Sequence, residues 1–377
     1  MLKTLLTTTD PQNYEIYFNE KIASVTKLFN ESNISIPTPE LFKSPSEFYR
    51  MRAEFAVFHE KDGTLSLCMF EKLTKKRIII NSFPIASRAI NKAMDLVRYY
   101  IKDVPELKRK LFEVEFLSTQ DEQVVISLSY HRLLDEKNWY ESAIKFKEYC
   151  LSKDLNVNIV GRARKQTILA NTDTVLETLH TQDKNFFLFQ VEGNFSQPNI
   201  YTCEKMIDFV RNCCRNNIDH DLIELYCGSG TFTVCLSDLF RKAFATEVSR
   251  VPTATALKNV EKNNIKNIQI ARLSAVEVAE AMSGVREFKR LKEAKIDIQS
   301  YNFKTLLIDP PRNGLEFEEA RAFTVLFDNV IYVSCGPKSL VEDLKYLTKT
   351  HEIIKIGFFD QFPYTEHLES IVFLKKL

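Results

Sequence analysis

Apolar residues recur along this chain at two different periods, and the change of period divides it. Over residues 11–30, Tyr14, Ile16, Tyr17, Ile22, Val25, Leu28 and Phe29 keep a roughly helical spacing that ends in the turn-rich Asn30 to Asn33, which predicts an amphipathic helix. Pro37 and Pro39 interrupt it. From Tyr49 the period becomes that of strands, at 51–58, 65–70 and 77–80, with a Lys61-Asp62-Gly63 turn between the first two. A helix is expected over 87–101, a strand pair over 111–117 and 123–130, a second helix over 139–151 and a further strand over 156–160. The first part of the chain therefore predicts an α+β fold, two groups of strands each followed by a helix.

Beyond a loop-rich stretch at 182–199, strands alternate with helical segments, the pattern of a parallel α/β sheet. Strands fall at 222–226, 243–247, 268–273, 305–308 and 330–333. The last two apolar runs, 353–359 and 368–374, are separated only by a proline-containing loop too short for a crossover helix. They should pair antiparallel at one sheet edge. A boundary near residue 180 gives two domains, 1–180 and 181–377. With 377 residues, 45% of them hydrophobic, each can bury a core of its own.

A formal net charge of +1 gives no global sign of nucleic-acid binding, so any basic surface must be local. Such clusters exist: Lys75-Lys76-Arg77, Lys108-Arg109-Lys110 and Arg162-Ala163-Arg164-Lys165, with Arg50, Arg52 and Arg88 besides. Each alone reads as a solvated face. Together, and with Phe112 beside the second cluster, they suit a surface that tracks phosphates and offers an aromatic ring to an unstacked base. The eight cysteines include no Cys-x-x-Cys pair, which argues against a ribbon zinc site or a four-cysteine iron–sulfur cluster. No metal is expected, and the thiols are read as reduced. The apolar part of the amino terminus is too short for a signal peptide and no run reaches the length of a membrane span. The expectation is a cytoplasmic protein with no membrane partner.

Candidate chemistry gathers where apolar strands end. Asp309 is the first polar residue after Leu306, Leu307 and Ile308, and Pro310 and Pro311 prevent continuation as strand or helix. Ile331, Tyr332 and Val333 lead in the same way to Cys335. Open α/β sheets bind ligands beyond the carboxyl ends of their strands, so an acid and a thiol share one edge. Gly336-Pro337 and a helix over 338–348 follow Cys335, and the helix N-terminus is expected to lower the thiol pKa. After the strand at 222–226 comes Cys227-Gly228-Ser229-Gly230, then a helix from about Thr231, its candidate N-cap. Such a loop lets backbone approach a nucleotide-like ligand closely. Glu247 ends the next strand, at the spacing from which an acid reaches ribose hydroxyls. The third glycine of a dinucleotide site and the Lys-Ser/Thr of a phosphate loop are both missing, so S-adenosylmethionine, with a ribose but no phosphate, fits better. Near the last strand Glu366, His367 and Glu369 compete as proton acceptor, and spacing does not choose among them.

Six segments taken together resemble the S-adenosylmethionine-dependent RNA (uracil-5)-methyltransferases, and among them the tRNA branch that makes T-loop ribothymidine. They are Tyr49 to Phe55, Phe195-Ser196-Gln197-Pro198-Asn199, Ile223 to Gly228, Asp309-Pro310-Pro311-Arg312, Ser334-Cys335 and Phe362-Pro363-Tyr364-Thr365. The resemblance covers nearly the whole chain. It implies a Rossmann-like methyltransferase domain with an N-terminal α+β RNA-recognition domain, S-adenosyl-L-methionine as cofactor, and the T-arm of tRNA as partner of a monomer. It further implies methylation of uridine carbon 5 with Cys335 as nucleophile and Glu369 as proton acceptor. Gln197, Tyr226, Gly228, Thr231, Glu247 and Asp309 would surround the cofactor, and Arg50, Phe112, His131 and Arg312 the RNA. Ribosomal relatives add an OB-like domain and often a four-cysteine cluster, for which this sequence has neither room nor ligands. An rRNA uracil-5 methyltransferase, or a non-catalytic RNA-binding protein with a relic cofactor fold, are the alternatives. Two positions depart from the family, Thr231 and Gly336, where asparagine is usual. Threonine is expected still to cap its helix, and glycine to tolerate the positive φ that favours asparagine.

Overall fold

In the computed structural model, residues 8–71, 74–215 and 217–377 are described. Helix α1 (Tyr14–Glu31) buries Tyr14, Phe18, Lys21, Val25 and Phe29, a stripe at i, i+3 and i+4 spacing. Phe18, Val25 and Phe29 enter the same core as Leu340, Leu344 and Phe358, three hundred residues away in sequence. Strand β1 (Glu40–Phe42) then pairs parallel with residues 357–359.

The chain next builds a seven-stranded sheet from β2 (Arg52–His59), β3 (Leu65–Phe70), β4 (Arg77–Ile79), β5 (Leu111–Ser118), β6 (Val124–Tyr130), β7 (Val157–Ala163) and β8 (Gln166–Ala170). Its order is β4-β3-β2-β5-β6-β7-β8, with only β6 and β7 parallel among these pairs. Helices α2 (Arg88–Ile101), α3 (Pro105–Lys108) and α4 (Glu136–Leu151) contribute to its core, in which Met94, Val97, Trp139 and Phe146 join Phe55 and Phe116. A separate hairpin, β9 (Thr174–His180) and β10 (Asn185–Val191), sends Leu179, Phe186 and Leu188 into the core of the body that follows.

That body is an eight-stranded sheet with helices on both faces. In chain order its elements are α5 (Ile200–Cys214), β11 (Asp221–Leu225), α6 (Thr231–Cys235), β12 (Ala243–Thr246), α7 (Arg250–Lys262), β13 (Ile268–Ala271), α8 (Ala275–Met282), α9 (Lys289–Glu293), β14 (Phe303–Ile308), α10 (Glu318–Thr324), β15 (Asn329–Ser334), α11 (Pro337–Leu347), β16 (His351–Phe359) and β17 (Glu369–Lys376). The strand order is β1-β16-β17-β15-β14-β11-β12-β13. The α+β arrangement followed by a Rossmann-like sheet agrees with the expected fold class.

Three expectations need correction. The division into 1–180 and 181–377 does not follow the packing, because α1 and β1 belong to the eight-stranded body. The segment 182–199 is not all loop, since β10 occupies its first half. Strands β16 and β17 do pair antiparallel, but β17 lies inside, between β15 and β16, and the outer edge is β1. Among the described residues no helix is long and apolar enough to cross a membrane.

Candidate active site

Pairing registers align the candidate residues along the carboxyl edge of the eight-stranded sheet. Leu225 of β11 is level with Thr246 of β12 and Ile308 of β14. Tyr226, Glu247 and Asp309 are therefore each the next residue past a strand end. Ser334, the last residue of β15, pairs with Ser370 of antiparallel β17, which brings Glu369, the first residue of β17, opposite Cys335. Directly opposed residues stand about 5 Å apart, and alternation puts both side chains on the face away from Ser334 and Ser370. Read across β12, β11, β14, β15 and β17, the edge carries Glu247, Tyr226, Asp309, Cys335 and Glu369. Glu247 and Cys335 are three strand spacings apart, about 14 Å. Strand addition reverses between β11 and β14, so Tyr226 and Asp309 flank the switch-point crevice where such sheets hold ligands.

On the β11–β12 side, Tyr226, Gly228 and Gly230 adopt left-handed φ values of 62°, 54° and 79°. A Cβ at Gly228 would meet nothing within 4 Å, so this stretch of backbone is open to a ligand. Glu247 accepts N–H groups from Gly228 at 3.2 Å and Ser249 at 2.7 Å, which fixes its carboxylate and leaves a lone pair on each oxygen for a ribose diol. Tyr226 also lines, with Ala275, Val276, Ala279 and Ala320, a largely apolar slot of about 60 Å³, suited to the edge of a flat ring. Gln197 is half-buried and accepts a hydrogen bond from the Gln361 amide at 2.8 Å. These features fit S-adenosylmethionine. Thr231 does not cap α6: the N-cap is Gly230, and Thr231 is the first helical residue with no side-chain cap bond. The left-handed turn at Gly230 moves the helix start one residue earlier.

Burial governs the titration of the acid and thiol groups. Cys335 is pushed up to about 11, by burial first and then by Glu369 and Asp309, with Arg312 opposing. This reverses the expected lowering by the α11 N-terminus, because desolvation and two carboxyl groups outweigh one helix end. Glu369 rises to about 8 through burial and Asp309, again opposed by Arg312. Asp309 rises to about 7 through burial. Glu224 of β11 joins them, raised to about 8 by burial although it accepts the Thr233 hydroxyl. Glu224 is not among the expected site residues, although a carboxyl between Ile223 and Leu225 in a fully buried strand is an anomaly visible in the sequence.

Gly336 also departs from expectation. Its φ is −124°, so no positive φ is required. Space is what demands glycine: a Cβ would lie 2.6 Å from the Arg312 carbonyl oxygen and 2.7 Å from Ser339 Oγ. Ser339 Oγ donates to that same Arg312 oxygen at 2.8 Å, so the turns carrying Asp309 and Cys335 touch.

The expected RNA residues separate into two groups. Arg312 is exposed, with a guanidinium nitrogen 3.1 Å from His367 Nδ1, and lines a cavity of about 1030 Å³ between α1 and the start of α11. Arg50 bridges Ala86 and Asn199 through its main chain, and its Nε–H donates to the Arg52 carbonyl at 2.8 Å. Phe112 and His131 lie elsewhere. Their rings stack on each other, centroids 3.8 Å apart and 10° from parallel, and with His59, Arg109 and Lys110 they line a pocket of about 390 Å³. Arg52 is level with Leu117 whereas Phe112 is at the other end of β5, so the stacked pair stands about 20 Å from Arg50 along the strands. Among the described residues no group of three or more His, Cys, Asp or Glu is arranged to hold a metal ion.

A mostly parallel sheet whose strand order reverses, a glycine turn and ribose-spaced acid at its switch point, and a thiol opposite a carboxyl define a Rossmann-like methyltransferase. The chain belongs to the tRNA (Uracil-5-)-methyltransferase family, which it matches over residues 13–377. It is 40% identical over 367 residues to the tRNA/tmRNA (uracil-C(5))-methyltransferase of Vibrio atlanticus, and 41% identical to those of Vibrio parahaemolyticus and Aliivibrio fischeri. Each alignment takes in 97% of this chain and 98% of the relative. The crystal structure of Pyrococcus abyssi tRNA (uracil-54, C5)-methyltransferase in complex with S-adenosyl-L-homocysteine superposes with a TM-score of 0.69 at 19% identity, covering 96% of this chain and 83% of that one. That likeness is one of fold.

Proposed function

We propose that this protein methylates carbon 5 of a uridine in tRNA, the T-loop uridine, through a covalent bond from Cys335 to carbon 6. S-adenosylmethionine supplies the methyl group when bound at Glu247, Tyr226 and Asp309. Carbon 5 of uracil is a poor nucleophile until carbon 6 is attacked. The Cys335 thiolate forms the sulfur–carbon bond, the pyrimidine double bond moves to an enolate, and carbon 5 then accepts the methyl group. Glu369 removes the carbon 5 proton, the double bond reforms, and the sulfur leaves as thiolate. The observation that carries this reading is the Ser334–Ser370 pairing that sets Cys335 across from Glu369. The tRNA named for the relatives supports the substrate class, and the basic first sheet supports RNA docking, since a base inside a stack cannot reach such a pocket.

Defined tRNA and rRNA transcripts offered side by side, followed by mapping of 5-methyluridine, test the substrate. Methylation confined to rRNA would overturn it. The mechanism is tested with tRNA carrying 5-fluorouridine, which should trap a methylated adduct that survives denaturing electrophoresis. Cys335→Ala should form none, and Glu369→Gln should accumulate the same adduct on ordinary tRNA because the base is gone. Normal turnover by Glu369→Gln would move the base to another group.

A further inference from the structure

The amide of Gln197 is held in one of its two orientations. Gln361, wholly buried, donates its Nε2–H to Gln197 Oε1 at 2.8 Å. With its oxygen engaged, Gln197 has its own amide hydrogens left to offer. Gln361 does this at a cost, because its Oε1 is buried with no hydrogen-bond partner.

The surroundings of Gln361 form a buried polar network that reaches back to α1. Asn199 Nδ2 donates to Ser44 Oγ at 2.7 Å and to the Gln361 carbonyl at 3.4 Å. The Asp360 carboxylate receives the Lys21 ammonium at 2.6 Å and the Tyr14 hydroxyl at 2.8 Å. Lys21 also donates to the Phe362 carbonyl at 2.7 Å. Lys21, Asn199, Asp360 and Gln361 are all buried, and a paired charge in such a place fixes geometry more than it adds stability.

We propose that Gln361 is a positioning residue that presents Gln197 to the bound cofactor as a hydrogen-bond donor, and that the Lys21–Asp360 anchor from α1 holds Gln361 in register. This rests on the assignment of Gln197 to the cofactor site. Ribose and carboxylate oxygens accept hydrogen bonds, and a reversed Gln197 amide would turn its own oxygen toward them.

Calorimetry of the full chain with S-adenosylhomocysteine tests the inference on the parent, Gln197→Met, Gln361→Met, Gln361→Glu and the Gln197→Met/Gln361→Met pair. Gln361→Met should weaken binding about tenfold. Gln361→Glu keeps the shape, and only its ionised form is purely an acceptor. It is therefore compared with the parent at about pH 9 or above, where a buried carboxyl has lost its proton, and there it should turn the Gln197 amide around and bind at least as weakly. The pair should bind no more weakly than Gln197→Met alone. A merely packing role would instead give additive losses and a near-normal Gln361→Glu. Affinities within twofold of the parent for both Gln361 variants, or additive losses in the pair, overturn the inference. If Gln361→Met does not fold, Gln361→Glu carries the test. A parent that fails to bind S-adenosylhomocysteine would instead sink the cofactor reading, and this inference with it.

Discussion

In the proposed mechanism Cys335 must lose a proton to attack, and Glu369 must be without one to accept it from carbon 5. Their pKa values are both raised above neutrality, to about 11 and about 8. Only the thiolate is needed before methyl transfer, and below its pKa its fraction grows about tenfold per pH unit, so single-turnover methylation should climb on the order of a hundredfold between about pH 6.5 and 8.5. A flat profile over that range would mean that the thiolate is already formed at neutral pH. The same burial has a stability consequence of definite sign. The folded pKa of Glu369 is raised from 4.5 to about 8, so the native state binds this proton more tightly than the unfolded chain. The contribution is full below pH 4.5 and lost as pH rises through 8. Glu369→Gln cannot ionise, so at pH 9 it should be more stable than the parent by on the order of 1–3 kcal/mol, with little difference at pH 5. Equal melting at pH 9 would show that the ionised carboxylate is not penalised in the fold. Asp309 and Cys335 could be singled out in the sequence because each follows an apolar strand. The direction of the thiol shift could not, since it depends first on burial and then on Glu369 and Asp309 arriving from other strands.

Helix α1 is legible as amphipathic from its spacing alone, but its partner is not. Lys21 falls in the apolar stripe of α1, and the carboxylate that explains it, Asp360, is 339 residues further along. Local periodicity carries no record of such a pairing, which is why α1 was expected with the first half of the chain. Strand β1 was invisible because three residues are too few to display a period. In β10 the outward Phe187 is as apolar as the inward Phe186 and Leu188, which blurs the alternation of a half-buried strand. The misassigned helix has a measurable consequence. A fragment of residues 181–377 loses Phe18, Val25, Phe29 and Ile34 from its core. At ~1.5–3 kcal/mol for each large apolar side chain, the loss is roughly 6–12 kcal/mol, the size of a whole domain's stability. The fragment should therefore show no cooperative thermal transition. A sharp melt near that of the full chain would show α1 to be dispensable.

At the scale of the whole molecule, the catalytic edge and the Phe112–His131 pair belong to different sheets, and an RNA that engages both must be long and partly unstacked. The two kinds of contact differ in their response to salt. Lysine and arginine contacts to phosphate release counterions, so affinity for tRNA should fall steeply as salt rises, whereas stacking on an aromatic ring releases none. Phe112→Ala should accordingly weaken tRNA binding by roughly 1–3 kcal/mol at every salt concentration. Lys110→Ala, in the pocket wall beside it, should reduce the slope of log affinity against log salt by about 0.7–0.9. Neither change should alter affinity for S-adenosylhomocysteine, because neither residue lines the β11–β14 crevice. Direct titration of both variants against tRNA at several salt concentrations reads these effects apart. If Phe112→Ala binds tRNA as tightly as the parent throughout, the stacked pair is a surface feature of the first sheet, and recognition must be carried by other groups, Arg312 beside Asp309 among them.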